Sequence, residues 1–143
     1  MRTGLITSGL LAGALLLTGC GKKHDKIEGK TGADITAKSS ASDIGEAYLN
    51  ELTRIADALE SVDDEASAKA AAESLKVSID GLNSMKDELD GKMNGLQAMQ
   101  VFGGRYAELA QVQARLGTAM VDIQTNHPEL MEIIGDELDR LED

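Results

Sequence analysis

Aromatic residues are nearly missing from this chain: of 143 residues two are Tyr, one is Phe and none is Trp. That scarcity removes the usual means of stacking on bases or caging a quaternary ammonium. A single cysteine, Cys20, excludes an intrachain disulfide and a multi-thiolate zinc centre. Histidine is limited to His24 and His127, so a Ser/His/Asp triad has only His127 to draw on. Cations are outnumbered, with 14 Lys and Arg against 25 Asp and Glu and a formal net charge of −11. A body that repels phosphate forfeits counterion release, which argues against nucleic acid as a partner. The length admits one compact domain with appendages.

The N-terminus is present as a pattern. One cation, Arg2, precedes an apolar stretch from Leu5 to Leu17. That stretch falls short of the ~20 residues a membrane span needs and fits the core of a signal peptide. It ends in Leu17-Thr18-Gly19-Cys20, which resembles the lipobox of bacterial lipoproteins. The resemblance covers residues 1–20 only. It implies a diacylglycerol thioether on Cys20, cleavage between Gly19 and Cys20, and acylation of the new amino group. The residue types suit that chemistry: a thiol is the nucleophile, and small Thr18 and Gly19 leave the backbone open to a peptidase. Acyl chains contribute about 0.8 kcal/mol per buried CH₂, so two or more give stable membrane attachment. Gly21 stands where lipoproteins retained at the inner membrane typically carry Asp. The resemblance therefore implies the outer membrane, with the body facing the periplasm.

Residues 20–42 follow as an expected tether. Apart from isolated Ile27 and Ile35 they are Lys, Gly, Ser, Thr and other polar or small residues, too few apolar groups to bury a face, which predicts disorder. Such a chain has a root-mean-square span of roughly 25 Å. The tether carries a net +2 and residues 43–143 a net −14. Its lysines either rest on anionic headgroups, at about 1 kcal/mol each, or simply keep a linker soluble. His24 in this stretch reads as a solvated side chain.

Residues 43–143 read as an all-α antiparallel bundle of three to four helices. Ile44, Tyr48, Leu52, Ile55, Leu59 and Val62 recur at helical spacing, and Asp43 with Glu46 suits a capping box. Asp63-Asp64-Glu65 suits the positive end of a second helix, rich in Ala and then striped by Leu75, Ile79, Leu82, Met85 and Leu89. A third stripe runs from Leu96 to Ile123, and Asn126-His127-Pro128-Glu129 announces a last helix. Two glycine signals compete for the turn between helices two and three, Gly91 to Gly95 and Gly103-Gly104. Matching segment lengths favours the first, with Gly103-Gly104 a weak point inside helix three. The expected order is short-long-long-short, with helices two and three as a hairpin and the last helix folded back along helix three.

Reactive chemistry is thin. The acidic run Asp63-Asp64-Glu65 reads as a helix start. Aligning Asp87-Glu88-Leu89-Asp90-Gly91 with a calcium loop puts Lys86 at the first position and Gln97 at the twelfth, which fails. His127 reads as a residue capping a helix start. Met85, Met99 and Met120 follow the core spacing, so the methionines read as core filling ahead of a soft-metal site. No catalytic residue, metal site or cofactor motif emerges. The sequence thus predicts a lipid-anchored, non-catalytic acidic module with a protein partner. The alternative is a helical bundle that binds a small ligand or cation.

Overall fold

The computed structural model describes residues 29–89 and 100–141, and these form an all-α helical bundle. Residues 1–19, the lipidation site Cys20 and the turn expected at Gly91 to Gly95 lie outside the described residues.

Helix α1 spans Ala41–Glu60. It starts two residues before the expected Asp43, because the Ser40 hydroxyl accepts the Asp43 amide at 3.1 Å and takes the capping role. Asp43 becomes a first-turn acid paired with Lys30 at 2.8 Å. Residues 61–64 lead to helix α2, Glu65–Glu88. Asp64 caps it: its carboxylate accepts the Ser67 amide at 2.7 Å, while the Asp64 amide donates back to the Ser67 hydroxyl at 2.9 Å. The acidic run is therefore a helix start, as its composition suggests, with Glu65 paired to Lys69 at 2.5 Å.

The expected continuous third helix is broken. Residues 100–102 are helical, residues 103–105 turn, and helix α3 runs Tyr106–Asn126. Gly103 and Gly104 each lose about 1 kcal/mol of helix propensity relative to Ala. The Arg105 amide closes the turn on the Phe102 carbonyl at 2.8 Å. Pro128 sits at the first position of a 3₁₀ turn, Pro128–Leu130, which feeds helix α4, Met131–Asp139.

The packing order also differs from the expected hairpin. Helix α1 packs against both α2 and α3, and α4 packs against α2, so the helices lie in the order α3, α1, α2, α4. Two contacts explain it. Gly45 of α1 lies against the Val101 backbone, where a Cβ would be only 2.4 Å from the carbonyl oxygen, and this brings the chain entering α3 onto α1. The Arg140 guanidinium, at the end of α4, pairs with Asp80 of α2. The main core joins all four helices through Leu52, Ile55, Leu59, Leu75, Ile79, Val112, Ile123 and Ile134. A smaller cluster at one end joins Ile35, Ile44, Ala47, Met85 and Val101. Tyr48 and Phe102 meet edge to face beside it, with centroids 5.3 Å apart.

Ile35 belongs to the stretch expected to be disordered, and residues 29–40 are a second correction. They form a strap, with a 3₁₀ turn at Gly32–Asp34, lying on α1 and α2. Gly32 is buried, and a Cβ there would sit 1.9 Å from the Gly81 carbonyl oxygen, so backbone packs on backbone. The Gly32 amide donates to the Glu51 carboxylate at 2.8 Å. Burying Ile35 contributes about 1.5–3 kcal/mol, and a hydrogen bond to a buried charged group a similar amount. The folded body thus includes residues 29–42, ahead of the start expected at Asp43.

Candidate interaction surface

The described cations are spent largely within the molecule. Arg115 reaches from α3 to α1, where Nε and Nη2 donate to the Glu60 carboxylate at 2.8 and 2.6 Å and Nη2 also donates to Asp57 at 2.5 Å. Hydrogen bonding to Glu60 first, and to Asp57 second, raises the guanidinium pKa further. Arg140 pairs with Glu137 at 2.6 Å as well as with Asp80, and Lys76 reaches Asp80 at 3.2 Å. The Asp80 carboxyl is held below its ordinary range, by Arg140 first and Lys76 second. Lys30 lowers the pKa of Asp43 and is itself raised by it. Arg105 lies 3.7 Å from Glu108. The exposed carboxylates of Glu73, Asp87, Glu88, Glu129, Glu132, Asp136 and Asp139 are left without a described cation in ion-pair contact, which is what makes the surface acidic.

Helix α3 is the exception on that surface. Its charged residues, Glu108, Arg115 and Asp122, recur every seven positions and so fall on one line at the edge facing α1. Leu109, Val112, Leu116, Ala119, Met120 and Ile123 face the core. The opposite face carries Ala107, Ala110, Ala114, Gly117 and Val121, all exposed, at alternating steps of three and four. Its flanking exposed positions are Tyr106, Gln111, Gln113, Thr118 and Gln124, again uncharged. Tyr106 is 53% and Val121 61% exposed. On a protein this acidic, a helix face about 21 Å long without one charge shares with the centres of protein interfaces their depletion of charged residues. Outward-facing α2, by contrast, carries Glu65, Lys69, Glu73, Lys76 and Asp80.

The remaining sequence candidates fall as follows. His127 ends α3 through its backbone: its amide donates to the Ile123 carbonyl at 2.8 Å and its carbonyl accepts Leu130 at 2.9 Å, while its side chain makes no capping bond. Met85 is buried in the smaller cluster, and Met120 and Met131 pack against the main core. Met93 and Met99 lie outside the described residues. Asp87 and Glu88 belong to the last turn of α2, a helical backbone and not a calcium loop. Among the described residues no three His, Cys, Asp or Glu side chains converge in a way that would hold a metal ion.

One polar feature escaped the sequence reading. Glu51 is only 2% exposed. Its Oε1 accepts the Gly32 amide, and its Oε2 lies 3.3 Å from the Arg54 guanidinium. Two marks pointed to it: Glu51 falls seven residues after core Ile44, on the buried side of α1, and Gly81 interrupts an otherwise strong helix.

Among the described residues no helix is long and apolar enough to cross a membrane. In comparisons with protein-family models, curated proteins and solved structures, the chain matches none. Fold and surface therefore define the class, an acidic all-α bundle, and the functional reading rests on the residues themselves.

Proposed function

We propose that the protein is a lipid-anchored envelope module that acts by binding another protein and not by catalysis. The anchor is Cys20, through the lipobox-like Leu17-Thr18-Gly19-Cys20, and the body is held on the periplasmic side of the outer membrane. The observation that carries the binding role is the uncharged face of α3 amid uncompensated carboxylates. Such a face suits a partner helix that offers small apolar residues along its centre and cations at its rim, opposite Glu108 and Asp122. Small residues let two helix backbones approach closely, so dispersion contacts accumulate without large side chains.

Photocrosslinking in intact cells tests this reading. A crosslinker at Ala114 or Val121 on α3 is expected to capture one reproducible protein, and the same group at Ala70 on exposed α2 is not. Equal capture from both helices, or capture of lipid and peptidoglycan alone, defeats the assignment. Ala114→Glu is expected to abolish the α3 crosslink at Val121 while leaving the helical circular dichroism unchanged.

A further inference from the structure

The strap of residues 29–40 is attached by few groups for its length. Gly32 packs on Gly81 and donates to Glu51, Ile35 is 3% exposed in the smaller cluster, and the Asn50 amide group donates to the Lys30 carbonyl at 3.0 Å. On the surface Lys30 pairs with Asp43 of α1 at 2.8 Å, and the remaining hydrogen bonds of the strap are largely its own: Thr31 with Asp34, and the Thr36 amide to the Ser39 hydroxyl. Gly29 has φ 141°, a conformation that favours glycine, and there the chain turns beside Asn50 and Glu46 of α1. Each strap residue loses backbone freedom on docking. A segment ordered by so few buried contacts opens far more easily than the helices it lies on.

We infer that the strap is a releasable length-setter for the membrane tether, an inference that rests on the lipid-anchor reading of Cys20. With the strap docked, the chain from Cys20 to Gly29 can separate lipid and body by at most ~30 Å. With the strap released, the chain from Cys20 to Ser40 allows at most ~70 Å. Docking therefore keeps the body, with Asn50 and Glu46 at the strap's exit, close to the lipid. Release more than doubles its maximum reach without unfolding a helix. A pull from a bound partner, or competition for the site of Ile35, favours the released form because only that form extends.

The test uses the mature lipidated protein in vesicles of phosphatidylethanolamine and phosphatidylglycerol. Mass spectrometry first establishes acyl chains on Cys20. With that thiol blocked, a single introduced cysteine, Ala70→Cys, takes a donor dye, and energy transfer to an acceptor lipid reports stand-off. Gly32→Val and Ile35→Ser are each expected to lower transfer and to open Lys30 and Lys38 to trypsin, with helical circular dichroism retained. Hydrogen exchange on the unsubstituted protein gives a second reading that needs no variant. The amides of Gly32 and Ile35 are expected to exchange at least ~100-fold faster than those of Ile55 and Ile79. Unchanged transfer in an acylated variant whose strap is cut by trypsin overturns the inference and leaves the anchor intact. Strap amides as slow as those of Ile55 and Ile79 overturn it too, because the strap then opens only on global unfolding. Absence of acyl chains on Cys20 removes the anchor reading and this inference together.

Discussion

Three helical glycines provide a test in which the same substitution should change sign with its surroundings. At Gly117 in α3 and Gly135 in α4 a Cβ meets nothing within 4 Å. Replacing either by Ala should therefore yield the full difference in helix propensity, about 0.5–1 kcal/mol of stabilisation each. For a domain of this size that raises the melting temperature by roughly 2–8 °C. At Gly81 in α2 the propensity gain is the same, but a Cβ would lie 2.6 Å from Glu51 Oε1 and 3.0 Å from its Cδ. A carboxylate at the end of a free side chain would simply swing away. This one is buried, accepts the Gly32 amide and lies against Arg54, so moving it breaks a buried charged hydrogen bond worth about 1.5–3 kcal/mol. The net expectation for Gly81→Ala is a loss of roughly 0.5–2.5 kcal/mol. Thermal and urea unfolding, followed by circular dichroism in a Cys20→Ala background, measures all three. Gly117 and Gly135 lie on different helices, so their effects should add within about 0.5 kcal/mol. A Gly81→Ala protein as stable as its parent would refute the account of Glu51 as a fixed buried group. A destabilising Gly117→Ala would refute the open outer face of α3.

Other predictions follow from the same contacts. Arg115→Ala should cost roughly 1 kcal/mol, discounted because the guanidinium and both carboxylates are partly exposed, and high salt should shrink the difference. Double-mutant cycles with Asp57→Ala and Glu60→Ala should show coupling. The carboxyls of Asp34, Asp43, Asp64, Glu65 and Asp80 all have lowered pKa values in the folded chain. The sign follows: their stabilisation is complete above the unfolded carboxylate range, near 4, and is lost as pH falls through the lower folded values. Melting temperature should stay level from about pH 5 upward and fall below about pH 4, and Asp64→Ala, which removes the α2 cap, should flatten part of that fall. Cys20→Ala should block incorporation of labelled fatty acid in cells, and continued labelling would refute the lipobox assignment.

Much of the bundle was legible in the sequence, for a physical reason. Stripes such as Ile44, Leu52, Ile55 and Leu59 announce a helix because these residues share its buried side, and the spacing survives whatever packs against that side. Pairing is not encoded so locally. Nothing near Arg115 in sequence shows that Asp57 and Glu60 will be its partners, so equal segment lengths suggested a hairpin of α2 and α3 that does not form. The double glycine at 103–104 marks the break, but an apolar rhythm that runs through it masks the signal. Least legible was the strap. A lone Ile35 among Lys, Gly and Ser creates no period, and the groups that hold it, Glu51 and Gly81, lie far along the chain. The uncharged face of α3 could have been found by asking where charge is missing at a fixed spacing of seven.

The placement of α4 on α2 has a consequence for how the chain acquires its fold. Helices α1 and α2 are neighbours joined by a few residues and form quickly from local contacts. The face of α2 around Ile79, however, receives Ile134 and the guanidinium of Arg140, which are synthesised after α2 and α3. Until they arrive, an apolar stripe on α2 stays open to solvent and to other chains. A chain stopped after Asn126 should therefore be sticky and readily degraded, although three of its four helices are complete. Quality control that recognises exposed apolar helix would read the arrival of α4 as the signal that the α2 stripe is covered.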